Sequence, residues 1–157
     1  MKTNELDKKL RDLEYLKWLP WVGENYMNSN NKILVVGESH YQGTTDESIE
    51  KHKNPEFTRI VVNELAIQYL TKDKRSGTLF RNLNLALDGI ASNSVALRKE
   101  TWNQFAFYNF IQEPMVDISK RPSKVQIKEG WKVFLNVISI LQPKKVLFIG
   151  SKVCDNY

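Results

Sequence analysis

Leu6, Leu10, Leu13 and Leu16 recur at steps of three and four with charged residues between them. This spacing predicts an amphipathic helix from Asn4 to Lys17, capped by Asn4 or Thr3 and stopped by Pro20. After the turn-forming cluster Asn28 to Asn31, Ile33, Leu34, Val35 and Val36 run without alternation up to Gly37. A continuous apolar run of that length reads as a strand covered on both faces, as in a parallel sheet. Residues 38–55 are polar and irregular, long enough for a functional loop. Two helical patterns follow. Phe57, Ile60, Val61, Leu65 and Tyr69 share one face, and Leu79, Phe80, Leu83, Leu87 and Ile90 share another, with Ser76 as its cap.

The aromatic-rich stretch Gln104 to Ile111 predicts a second strand. A basic loop, Ser119 to Pro122, leads into a helix from Ser123 to Leu141, whose core face is Ile127, Trp131, Phe134, Ile138 and Leu141. Pro143 ends it. Lys144 to Ile149 repeats the form of the first strand: a basic start, an apolar run and a glycine. Three strands separated by helices predict a parallel sheet with helices on both faces, because right-handed crossovers place them there. Ligands of such sheets bind beyond the carboxyl ends of the strands, which directs attention to Gly37–Gln42, Asn109–Glu113 and Gly150–Lys152.

At 157 residues the chain is one domain. Hydrophobic residues at 41% and charged residues at 26% argue against disordered and fibrous classes. No apolar run reaches the length of a membrane helix, and Met1 to Lys17 is too charged for a signal peptide, so a cytoplasmic protein with no membrane partner is expected. The single cysteine, Cys154, leaves no internal disulfide and no all-cysteine zinc site. Charge is uneven. Residues 1–75 carry 12 Lys/Arg and 12 Asp/Glu, whereas residues 76–157 carry 11 and 6, which suggests an acidic partner. Lys124, Lys128 and Lys132 repeat every four residues and line one helix face, a pattern that suits phosphate contact and a solvated surface equally.

The first strand end reads Gly37-Glu38-Ser39-His40-Tyr41. The Ser-His pair is no nucleophile elbow, which needs its serine between glycines, and the other histidine, His52, lies in a charged loop. Two histidines and no ligand-spaced carboxylate cluster also make a poor metal site. At the second strand end Asn109 sits among aromatics. Its amide offers one donor and one acceptor face, which can read a base edge or cap a turn.

Taken together, these segments resemble the uracil-DNA glycosylase superfamily. KILVVGESHY, Lys32 to Tyr41, is similar to that family's first motif, a strand followed by GQDPYH in one class and GEAPG in another. SGTLFRNL, Ser76 to Leu83, is similar to a helix start found in many members. FYNFI, Phe107 to Ile111, matches the strand whose Asn grips uracil. Arg121-Pro122 resembles a basic-Pro element, and PKKVLFIG, Pro143 to Gly150, has the form of the next strand. The likeness spans residues 32–150, behind a helical segment at 1–31.

The resemblance implies a three-layer α/β/α fold with a central, mainly parallel sheet. It also implies hydrolysis of the N-glycosidic bond of a flipped uracil, or a related damaged base, in DNA, without metal or organic cofactor. A non-catalytic nucleotide- or nucleic-acid-binding member of the same fold is the alternative. By position, Glu38 contacts the base or positions water, and Asn109 reads the base. Tyr41 crowds C5 of uracil, and Phe57 is a candidate for the ring that stacks on the base. Ser39 and His40 complete the pocket, and Lys124, Lys128 and Lys132 meet phosphates. Two departures stand out: Ser39 replaces the catalytic Asp of the most active class, and His40 replaces a Pro or small residue. The family's last motif, a strand-end His and a wedge loop, has no counterpart before Tyr157, so the chain is expected to be a fragment or to lack half of the catalytic apparatus.

Overall fold

The computed structural model describes residues 3–69, 74–88, 94–116 and 119–149. The fold is mixed α/β, built on an open four-stranded sheet. The strands are β1 (Trp21–Val22), β2 (Ile33–Gly37), β3 (Phe105–Asn109) and β4 (Lys145–Phe148), in the order β1-β3-β2-β4. β2 pairs in parallel with both β3 and β4, and β1 adds to β3 antiparallel. Leu34, Val35 and Val36 are wholly buried, as the unbroken apolar run requires of a central strand.

Alternate residues of β2 and β3 serve two cores. Leu34, Val36, Ala106 and Tyr108 pack with Leu6 and Leu10 of α1 (Thr3–Arg11) and with Ile127, Phe134, Val137 and Leu141 of α6 (Lys124–Leu141). Val35 and Phe107 pack with Val62, Ala66 and Ile67, with Phe80 and Leu83 of α4 (Lys74–Asp88), and with Trp102 of α5 (Val95–Trp102). Burial of each Val, Leu, Ile or Phe among them contributes roughly 1.5–3 kcal/mol.

Several elements depart from the sequence pattern. The first helix ends at Arg11, not Lys17. Gln112 Oε1 accepts from the backbone N–H groups of both Lys17 and Trp18, each at 3.0 Å, and so draws that segment out of helical pairing. Between β2 and the next long helix a short one, α2 (Asp46–Lys51), forms inside the polar loop with Thr45 as its cap. Helix α3 (Phe57–Val61) continues into a π-helical turn, Val62–Ile67, and Tyr69 beyond it takes a left-handed φ of 56°. The buried Arg98 closes that end, its Nε donating to the Ile67 carbonyl at 2.6 Å. Helix α4 begins at Lys74, so Ser76 lies within it and does not cap it. Ile90 and the strand end at 150–152 lie outside the described residues.

Helix α6 starts where its composition predicts. Ser123 and Gln126 form a reciprocal capping box, which satisfies two otherwise orphaned backbone donors. Its stripe is rotated from the expected one: Gly130, Val133 and Val137 join Ile127, Phe134 and Leu141 as buried positions, while Trp131 and Ile138 are half-buried. The Phe110 ring fills the space where a Gly130 side chain would stand, its Cε1 only 2.5 Å from an added Cβ.

Candidate functional site

The carboxyl ends of β2 and β3 lie side by side, with Gly37 in register with Asn109. The chain segments beyond them remain zipped together. Phe110 N–H donates to the Gly37 carbonyl and Ile111 N–H to the Glu38 carbonyl, both at 2.9 Å. Farther out, Met115 N–H donates to the His40 carbonyl at 2.8 Å, and Gln42 N–H to the Met115 carbonyl at 2.9 Å. Backbone pairing of this kind fixes the direction in which each side chain of 38–41 projects.

Asn109 is buried, with 4% of its surface exposed. Its side chain lies across Gly37, because a Cβ added at Gly37 would collide with Asn109 Oδ1. The hydrogen bond that Asn109 makes here uses its backbone: Gln112 Nε2 donates to the Asn109 carbonyl at 2.6 Å. Among the described residues no hydrogen bond of its side-chain amide is found.

Glu38 follows directly, its side chain 11% exposed. Two groups converge on its Oε1: the Tyr41 hydroxyl donates at 3.4 Å and Arg121 Nη1 at 3.3 Å. Burial, followed by the charge of Glu38, raises the pKa of the Tyr41 phenol above its ordinary value, so it stays a donor. The Ser39 hydroxyl oxygen is enclosed and has no hydrogen-bond partner among the described residues.

His40 turns the other way. It is 6% exposed, and its Nε2 lies 2.8 Å from Thr58 Oγ1. The Trp18 and Phe57 rings stand against it at centroid distances of 4.9 and 4.7 Å. Burial, helped by the charge of neighbouring His52, holds the His40 pKa at about 3, so the ring is neutral at physiological pH. Phe57 belongs to the same aromatic group, 4.3 Å from His52 by ring centroids. His52 Nδ1 approaches the Ser48 carbonyl at 2.7 Å and must carry the proton there.

Lys124, Lys128 and Lys132 are exposed on α6, and Lys132 pairs with Glu129 at 2.8 Å. Among the described residues no group of three or more His, Cys, Asp or Glu is placed to hold a metal ion. In the same residues no helix is long and apolar enough to cross a membrane.

Of the residues singled out in the sequence, Glu38 and Tyr41 meet beyond the end of β2, and Asn109 stands at the end of β3 against Gly37. His40 and Phe57 form an aromatic cluster with Trp18 and His52. Three participants had no signal in the periodicity. Thr58 and Gln112 act through tertiary hydrogen bonds, and Arg121, noted in the sequence as part of a basic loop and of a basic-Pro element, reaches Glu38 across 83 positions. No protein-family model matches the chain, and no curated protein or solved structure matches it.

Proposed function

We propose that this domain recognises a nucleobase at the ends of β2 and β3 and cleaves the N-glycosidic bond of a flipped uracil, or a related damaged base, in DNA. The observation that carries the reading is Asn109, a buried amide laid across Gly37 at the strand ends, for whose side chain no hydrogen bond is found among the described residues. Such an amide can pair its NH2 with O4 and its oxygen with N3–H of uracil. The three-layer α/β/α arrangement with a mainly parallel sheet belongs to the same proposal, supported by cores on both faces of β2 and β3.

Cleavage begins with a base leaving the stack, which costs a few kcal/mol and is offset by pairing in the pocket. The Glu38 carboxylate accepts a proton from water as the water oxygen bonds to C1′ of the sugar. The C1′–N1 bond breaks, and its electron pair departs with the base. Charge then gathers on the ring oxygens, where the Asn109 amide donates to O4 and stabilises the developing anion. Tyr41 keeps the Glu38 carboxylate oriented through its hydroxyl.

A second reading, nucleotide binding without catalysis, is favoured by Ser39, a residue with no charge to offer at the position of a catalytic Asp, and by the engagement of Glu38 with Arg121. The experiment is release of free base from oligonucleotides carrying one uracil, beside cytosine and thymine controls, for wild type and Asn109→Asp. The substitution exchanges an NH2 donor for a carboxylate that repels O4, so uracil release should fall by at least about tenfold at unchanged thermal stability. Equal release by both proteins removes Asn109 from the site. Binding that depends on Asn109, without release, selects the second reading.

A further inference from the structure

Glu38 and Arg121 form an unequal pair. The carboxylate side chain is 11% exposed and the guanidinium side chain 57%. The contact is a single one of 3.3 Å, longer than the roughly 2.7–2.9 Å of a tight charge-assisted hydrogen bond. Among the described residues Arg121 therefore commits one of its five donors, and its side chain stays largely open to solvent. Tyr41 donates to the same oxygen, so Glu38 keeps a partner when Arg121 leaves. The surroundings of Arg121 are cationic: exposed Lys120 precedes it, and exposed Lys124 opens α6 three residues later.

A single 3.3 Å contact contributes little when one partner, the guanidinium, remains largely solvated and screened. A phosphate offers oxygens spaced to take two guanidinium donors at once, so it can displace the carboxylate. We infer that Arg121 is a phosphate-binding residue held by Glu38 until a ligand arrives. The phosphate ester of a nucleotide whose base sits at Asn109 takes the guanidinium, and the Glu38 carboxylate becomes free to accept from water or from a base N–H. The inference rests on the base-reading proposal for its ligand, while the exchange of carboxylate for phosphate is separately measurable. The ligand class is a nucleoside phosphate, either a free monophosphate or a phosphodiester within a strand.

The test is calorimetric titration of wild type, Arg121→Gln, Glu38→Gln and the double variant, each first confirmed as folded by thermal melting. The probes are uridine, deoxyuridine monophosphate and a short single-stranded oligonucleotide with one uracil. Arg121→Gln should weaken the phosphate-bearing probes by at least about tenfold, whereas uridine should bind wild type and this variant alike. Glu38→Gln should tighten the phosphate-bearing probes by about two- to fivefold, since the internal competitor is gone. That gain should vanish in the double variant, because no guanidinium remains to be released.

A gain with deoxyuridine monophosphate alone assigns the site to a terminal phosphate ester, and a gain with both phosphate probes to either form. A gain with the oligonucleotide alone assigns it to an internal phosphodiester. A gain that survives loss of Arg121, equal weakening of uridine by Arg121→Gln, or no effect of Arg121→Gln overturns the inference. If uridine fails to bind wild type while the cycle on the phosphate probes holds, the base-reading proposal falls and the exchange stands.

Discussion

Lowering the pH from 7.5 to 5 should cost the fold roughly 2 kcal/mol through His40 alone. The ring is 6% exposed, flanked by Trp18 and Phe57, and its Nε2 is already engaged with Thr58. Burial depresses its pKa from 6.5 to about 3. An unfolded chain therefore takes up a proton below pH 6.5 that the folded chain refuses, so stability is complete above that value and declines as the pH falls. The loss levels off near pH 3 at roughly 4–5 kcal/mol, the free energy of a shift of this size. Most carboxylates remain ionised at pH 5, so the upper part of the window isolates histidine. Urea unfolding midpoints between pH 7.5 and 5 measure the effect, and His40→Gln, which keeps a polar partner for Thr58, should lose much less over that range. Parallel losses in wild type and variant, or imidazole resonances of folded His40 that titrate near pH 6.5, would refute the argument.

Gly37→Ala should displace the Asn109 amide, because the new Cβ collides with its Oδ1; binding of a uracil-containing oligonucleotide should drop sharply, with a stability loss of about 1–3 kcal/mol by thermal melting. Gly130→Ala should destabilise the protein by about 1–3 kcal/mol in urea titrations despite the better helix propensity of Ala, since its Cβ meets the Phe110 ring at 2.5 Å. Replacing Lys124, Lys128 and Lys132 together with Gln should flatten the salt dependence of single-strand binding by about two units of log–log slope if all three neutralise phosphates; an unchanged slope would make them a solvated face.

The elements that the sequence made legible are those whose own residues dictate them. Ile33 to Val36 read as a strand covered on both sides and form one, and the helix expected from Ser123 to Leu141 is α6, with Ser123 as its cap. Glu38 and Asn109 could be placed at strand ends for the same reason. What was hidden depends on distant partners. β1 is two residues long and exists because Trp21 and Val22 find Phe107 and Ala106. The end of α1 at Arg11 is bound up with Gln112, nearly a hundred positions away. His40 stands between two strand-end residues in sequence, yet its environment is made by Trp18, Phe57 and Thr58, none of which adjoins it in the chain.

The parallel pairing of β2 has a consequence for how the protein is made. Its Ile33 waits for Phe105 on one side and Lys145 on the other, and nothing earlier in the sheet can stand in, since β1 pairs with β3. At translation rates of roughly 5–20 residues per second, the most apolar strand of the sheet emerges several seconds before either neighbour exists. During that interval both of its edges are open to other chains. Nascent-chain folding should therefore be late and cooperative, with protection of β2 amides appearing only after β3 has left the ribosome, and overexpression yield should respond to chaperone capacity more than to the stability of the finished fold.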